Sequence, residues 1–289
     1  MFPAVTVTCF LLSYLLALLL EIVRLVIRFP GRNFVLLAIL SLGWIAHTLF
    51  LTNQLYAGVV DTVQPQLLSS WFQWVILLAW GLATAYLSLL LRNLQTAIGI
   101  FLVPLVLALI LLGLSLRDGA PFSPETAVGL WRVIHGVSLL VGTMFICFGL
   151  AFGTMYLLQS YRLKSRRPAN RFLRLPTLEF LQSMNRLSLF VSVVSLGLGM
   201  VSGVAMNFNT AGSMSWFSGG ILFTVALFLW SLVAAIMELT AKSSLGGRRT
   251  AYLAIANFIF LVVVLAVVLF SSHGQASETN SGSQSEVSV

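Results

Sequence analysis

Residues 133–157 read VIHGVSLLVGTMFICFGLAFGTMYL, an apolar run without a single Asp, Glu, Lys or Arg. About 20 apolar residues in a helix cross the ~30 Å hydrocarbon core of a bilayer. The run therefore reads as a membrane span. Seven further stretches meet the same test, approximately 4–27, 34–52, 70–91, 96–116, 187–206, 219–240 and 250–270, and the quoted run extends to 132–157. The composition agrees: 59% of the 289 residues are hydrophobic, 8% are charged and the mean hydropathy is +1.00, against roughly 25% charged residues in soluble domains. That excludes a soluble globular domain, a disordered chain and a collagen-like one. Only Cys9 and Cys147 are present, in no CxxC pairing, so a disulfide scaffold and a Cys-based redox pair are excluded too. Both cysteines read as small core residues. The expected fold is all-α, a polytopic integral membrane protein with eight transmembrane helices. Residues 1–274 form the membrane domain and 275–289, rich in Ser, are expected to be a disordered polar tail.

Charge fixes the expected orientation. The net charge is +8. With both termini extracytoplasmic, every one of the 16 Lys and Arg residues except Arg117 and Arg132 falls on the cytoplasmic side, as the positive-inside rule requires. Asp61, Asp118, Glu125, Glu278 and Glu286 fall outside, against Glu21, Glu179 and Glu238 inside. Residues 1–20 carry no Lys or Arg, so the first span reads as an uncleaved anchor rather than a signal peptide. The basic run from Arg162 to Arg174, in the connection 158–186, is a cytoplasmic loop touching anionic headgroups, and no nucleic-acid partner is needed to explain it. The membrane itself, the bacterial inner membrane in this reading, is the expected environment.

Three histidines are the candidates for chemistry. By this topology His135 lies one turn inside the fifth span and His273 just past the eighth. His47 lies 13 residues beyond Phe34, about 20 Å up at ~1.5 Å per residue. All three fall in the outer half. An in-span histidine is costly and is a functional candidate by default, and neutral imidazoles ligate haem iron and other metals; alone, each also fits an interfacial or helix-bridging polar residue. Trp71, Trp74, Trp131 and Trp216 fall at outer boundaries, where they form an aromatic belt or a flat surface for a porphyrin. Gly149-x-x-x-Gly153 and Gly199-x-x-x-Gly203 read as helix-packing motifs. Glu21 can pair with Arg24, three residues on. No nucleotide-binding or protease pattern is present, so no enzyme is expected.

The stretch IHGVSLLVGTMFICFGLAFGTMYLLQSYRLKSRR (134–167), continuing as FLRLPTLEFLQSMNRLSLFVSVVSLGLGMVSG (172–203), resembles the heart of the bacterial cytochrome c assembly family in its HemX-like branch, with kinship to CcsA-like proteins. Tyr156-Leu157-Leu158-Gln159, the basic residues Arg162 and Lys164, and Leu175-Pro176-Thr177-Leu178-Glu179 carry it. Gly43-Trp44-Ile45-Ala46-His47-Thr48 is similar to the family's histidine-bearing second span, and Ser272-His273-Gly274 to its terminal histidine. The resemblance implies outer-face histidines that ligate haem bound for apocytochrome c. His135 and His273 would be axial ligands, Trp216 and Trp131 a stacking wall, and His47 would line a path from within the membrane. Where the haem-exporting members carry a WWD segment, this chain has Ser213-Met214-Ser215-Trp216-Phe217-Ser218. The expected function is haem handling as an accessory of cytochrome c biogenesis, with haem and assembly proteins as partners. Two alternatives stand beside it: a HemX-like regulator or scaffold of tetrapyrrole metabolism acting through the basic loop, and a small-solute permease.

Overall fold

A computed structural model of the chain describes residues 6–27, 31–60, 70–93, 97–116, 130–165, 175–211, 219–240 and 246–282, with side chains over most of them. Among these the chain is helical and contains no strand. The helices are α1 (Val7–Val23), α2 (Arg32–Val60), α3 (Trp71–Arg92), α4 (Gly99–Ser115), α5 (Leu130–Lys164), α6 (Leu178–Ala211), α7 (Gly219–Leu239) and α8 (Gly246–Gly282). Six of them, α2, α3, α5, α6, α7 and α8, are long and apolar enough to cross a membrane. The other two, α1 and α4, have 17 residues each, about 25 Å at ~1.5 Å per residue. The chain is thus a helical, multi-pass type of membrane protein by length and composition.

Local chemistry sets several boundaries. Ser70 caps α3, its hydroxyl accepting from the Gln73 N–H at 3.2 Å, and Arg92 sits in the last turn where a cation suits the helix dipole. Thr177 caps α6 in the same way, accepting from the Phe180 N–H at 3.3 Å, with Glu179 in the first turn. The segment expected as a free connection, 158–186, is helical at both ends: α5 runs on to Lys164 and α6 starts at Leu178. No Pro or Gly interrupts the chain between Gly153 and Pro168, so nothing stops α5 where its apolar run ends. Beyond the apolar part of α8 the polar residues up to Gly282 continue the helix, where the sequence reading expects no structure; the stretch carries no proline to end it. Cys147 is buried as expected. Cys9 is exposed, because α1 turns Phe10, Tyr14 and Ala17 inward and places Cys9 on a different face.

The chain divides into two compact units: Met1–Leu130 with Ala151–Asn185, and Trp131–Leu150 with Arg186–Val289. In the first unit α1 packs on α2, α2 on α3, α3 on α4 and α4 back on α1, a closed four-helix ring. Its interior is Phe10, Tyr14, Ala17 and Glu21 of α1, at helical spacing, facing Leu36, Leu40 and His47 of α2, Ile76, Ala79, Leu82 and Tyr86 of α3, and Leu102, Val106 and Ile110 of α4. The α2–α3 seam holds a reciprocal clasp. Trp44 Nε1 donates to Thr84 Oγ1 at 2.8 Å and Trp80 Nε1 donates to Thr48 Oγ1 at 2.9 Å. The two indoles stack with centroids 6.3 Å apart. Each threonine hydroxyl donates to the carbonyl of the tryptophan one turn before it, both at 2.8 Å.

In the second unit α5 packs on α6 where Leu196 lies against Gly142, α6 on α7 where Phe228 faces Gly197, α7 on α8, and α8 on α5 where Ala254 meets Gly149. Its core is layered. Ile146, Leu196, Leu227, Leu261 and Val264 form an apolar layer. Polar pairs lie toward the other end: Ser231 Oγ donates to Asn257 Oδ1 at 2.7 Å, and Thr250 Oγ1 to Glu238 Oε2 at 2.6 Å, all four residues buried. Lipid competes equally well for apolar side chains, so such interhelical hydrogen bonds and close backbone approach do much of the holding, at roughly 0.6–1.7 kcal/mol per bond.

Candidate functional site

His135 stands in the second turn of α5, half-buried against α6. Its Nδ1 lies 2.7 Å from the carbonyl oxygen of Gly199. A carbonyl only accepts, so Nδ1 is the donor in this pair and Nε2 is left out of it. The Gly199 carbonyl also accepts from Ser202 Oγ at 2.9 Å, which braces it. Gly203 makes room for the ring: a Cβ there would stand 2.9 Å from His135 Cε1 and 3.0 Å from Nδ1. One turn along, Leu139 fills the notch over Gly199 in the same manner. The glycine pair expected to serve packing does bring α5 and α6 together, and it also forms the seat of an imidazole. Hydrogen bonding of one ring nitrogen to a backbone carbonyl is the usual second contact of a metal-ligating histidine, since it fixes the tautomer and aims the other nitrogen.

Trp131 lies four residues before His135, on the same side of α5, and is 42% exposed. Trp216 falls in 212–218, outside the described residues. His273 lies within α8, but its side chain is likewise outside the described ones.

His47 belongs to the first unit. It is fully buried. Its ring stacks on Phe10 with centroids 4.1 Å apart and planes 3° from parallel, and Phe50 packs beyond Phe10. Nδ1 lies 3.3 Å from the Tyr14 hydroxyl. Nε2 makes no hydrogen bond of good geometry, with the Ile76 backbone of α3 near the ring. An orphaned polar atom in an apolar interior is costly.

The structure thus joins His135 to Gly199, Ser202 and Gly203 in one unit and His47 to Phe10 and Tyr14 in the other. Sequence reasoning missed those supporting residues. Tyr14 left a trace, lying seven residues from Glu21 so that both fall on one face of α1, and the Trp-x-x-x-Thr spacing at 44–48 and 80–84 was visible as a repeat. Among the described residues no group of three or more His, Cys, Asp and Glu side chains is arranged to hold a metal ion. The Glu21–Arg24 pair forms as expected, with Nη1 to Oε2 at 3.7 Å. No protein-family model matches the chain, and no curated protein matches it.

Proposed function

We propose that this chain is a haem-handling accessory membrane protein of cytochrome c biogenesis, with eight spans and both termini outside the cytoplasm. The observation that carries the reading is the His135 seat. A helix carbonyl and a side-chain-free notch hold the half-buried imidazole by Nδ1 and leave Nε2 out of that contact. Imidazole nitrogen suits haem iron, and in this reading His135, through Nε2, and His273 would hold it. Haem would bring a planar apolar surface and an iron that takes nitrogen ligands. The protein's part is to bind and orient it, with Trp131 and Trp216 as apolar walls and His47 lining a path from within the membrane.

The test is the visible spectrum of protein purified in mild detergent from haem-replete cells. The wild type should show a Soret band that His135→Ala and His273→Ala each shift or abolish. A colourless wild type, or an unchanged band in both variants, overturns the reading.

A second reading, a scaffold that docks a soluble enzyme of tetrapyrrole metabolism, is favoured by one feature. The last turn of α5 exposes Tyr161 (57%) and Leu163 (61%) beside Arg162 and Lys164. Pull-down of an enzyme that is lost on Tyr161→Ser with Leu163→Ser, while haem colour stays, would establish it.

A further inference from the structure

The outward face of α6 changes character along its length. Glu179, Ser183 and Arg186 are exposed near its start. From the next residue on, the exposed positions are apolar: Leu187 (46%), Val194 (61%), Leu198 (55%) and Val201 (61%). Steps of seven, four and three residues place these in one row along a helix. Arg186 therefore stands inside the membrane-crossing length Leu178–Ala205, where the polar end of α6 meets the apolar row.

A guanidinium keeps its charge at any physiological pH, and a charge among lipid-facing apolar residues is costly unless it is paired. Among the described residues Arg186 makes no hydrogen bond or ion pair. Glu179, the acid nearest to it in sequence, is seven residues back, and the basic stretch 166–174 contains no acid. The one partner the fold does provide is an aromatic face: Arg186 Cζ lies 5.8 Å from the centroid of the Phe190 ring. Side chains on a helix lean toward its N-terminus, so the ring of Phe190 lies beside Arg186 and holds the guanidinium level with the start of the apolar row. A cation over a ring face keeps its N–H groups for another acceptor, and the planar guanidinium offers them as a fork.

From these features we infer that Arg186 binds the headgroup phosphate of an anionic phospholipid, with Phe190 bracing the guanidinium and the acyl chains lying along Leu187, Val194 and Leu198. A guanidinium fork matches phosphate oxygens in pairs, and the apolar row beyond it distinguishes a lipid from a free phosphate ion. By the positive-inside expectation the lipid belongs to the cytoplasmic leaflet. The site does not involve the histidines and does not rest on the haem reading.

Native mass spectrometry of the full chain in detergent tests it, titrating phosphatidylglycerol, phosphatidylcholine and inorganic phosphate. For the first lipid bound, the wild type should prefer phosphatidylglycerol over phosphatidylcholine about fivefold. Arg186→Gln should lose that preference. Arg186→Lys and Phe190→Leu should each keep part of it, the first retaining charge without the fork and the second the fork without its brace. Arg249→Gln, which removes an exposed basic residue of α8, should leave it unchanged. Unfolding temperatures measured without added lipid check that each variant is folded; if Arg186→Gln is not, Arg186→Lys carries the test. Equal wild-type affinity for the two lipids, a preference independent of Arg186, or Arg186-dependent capture of inorganic phosphate that displaces the lipid would each overturn the assignment.

Discussion

Gly203 lies against the His135 ring with no room for a side chain: the position a Cβ would take on Gly203 is 2.9 Å from the imidazole Cε1. The contact forces the ring toward the Gly199 carbonyl and so determines which nitrogen is free. Gly203→Ala should push the ring off its seat, break the Nδ1–H bond to Gly199 and cost about 1–3 kcal/mol. If the haem reading holds, it should also weaken or shift the Soret band while the histidine itself is still present. Thermal unfolding in detergent and the visible spectrum, measured together, separate the two effects.

His47 combines a good stack with a poor hydrogen-bond balance. His47→Phe keeps the aromatic contact with Phe10 and removes the orphaned Nε2 but strands the Tyr14 hydroxyl paired with Nδ1, so the net loss should be no more than about 1 kcal/mol. His47→Ala leaves a cavity beneath Phe10 and should cost about 2–4 kcal/mol. Melting temperatures of both variants give the comparison; a His47→Phe variant as unstable as His47→Ala would mean that the ring nitrogens hold something.

The indole–threonine clasp predicts coupling between α2 and α3. Thr48→Val strands the Trp80 N–H and Thr84→Val strands the Trp44 N–H, each costing about 1 kcal/mol. Because the two halves share one stacked pair, the double variant should depart from additivity, which a double-mutant cycle measures.

Removing the carboxylate of Glu21 without its volume probes the buried ion pair. Glu21→Gln can still accept from Tyr86, but Arg24 loses the carboxylate it faces. The expected loss is on the order of 3 kcal/mol, against about 2 kcal/mol for Tyr86→Phe, which removes a hydrogen bond to a buried carboxylate. Unfolding of both variants at matched lipid content decides it.

Much of the architecture was legible beforehand because membrane helices must be long and apolar to satisfy their backbone in hydrocarbon. The run around Phe145 identifies itself that way, and so do α2, α3, α6, α7 and α8. The ends were less legible. The loss of hydrophobicity after Leu158 marks where the apolar stretch stops, whereas the helix stops only near Lys164, because helix propagation depends on breakers and caps rather than on polarity. The histidines were visible as rare polar residues in apolar runs. Their surroundings were not: Gly199 and Gly203 look the same in sequence whether they admit a leucine or an imidazole.

The sequence alone determined that the chain is helical and apolar enough for a multi-pass membrane protein and which few polar residues interrupt its apolar runs, since these follow from composition and from the cost of polar groups in hydrocarbon. Which face of each helix turns inward was decided only by the tertiary structure. A helix that is apolar all round has no hydrophobic side to read, and lipid solvates Leu12 or Leu42 as well as the core would. The inside is chosen by what lipid cannot satisfy, the hydroxyls, amides and carboxylates of Tyr14, Glu21, Asn257 and Glu238, and by glycines that let backbones meet, and these find their partners only once the helices are side by side.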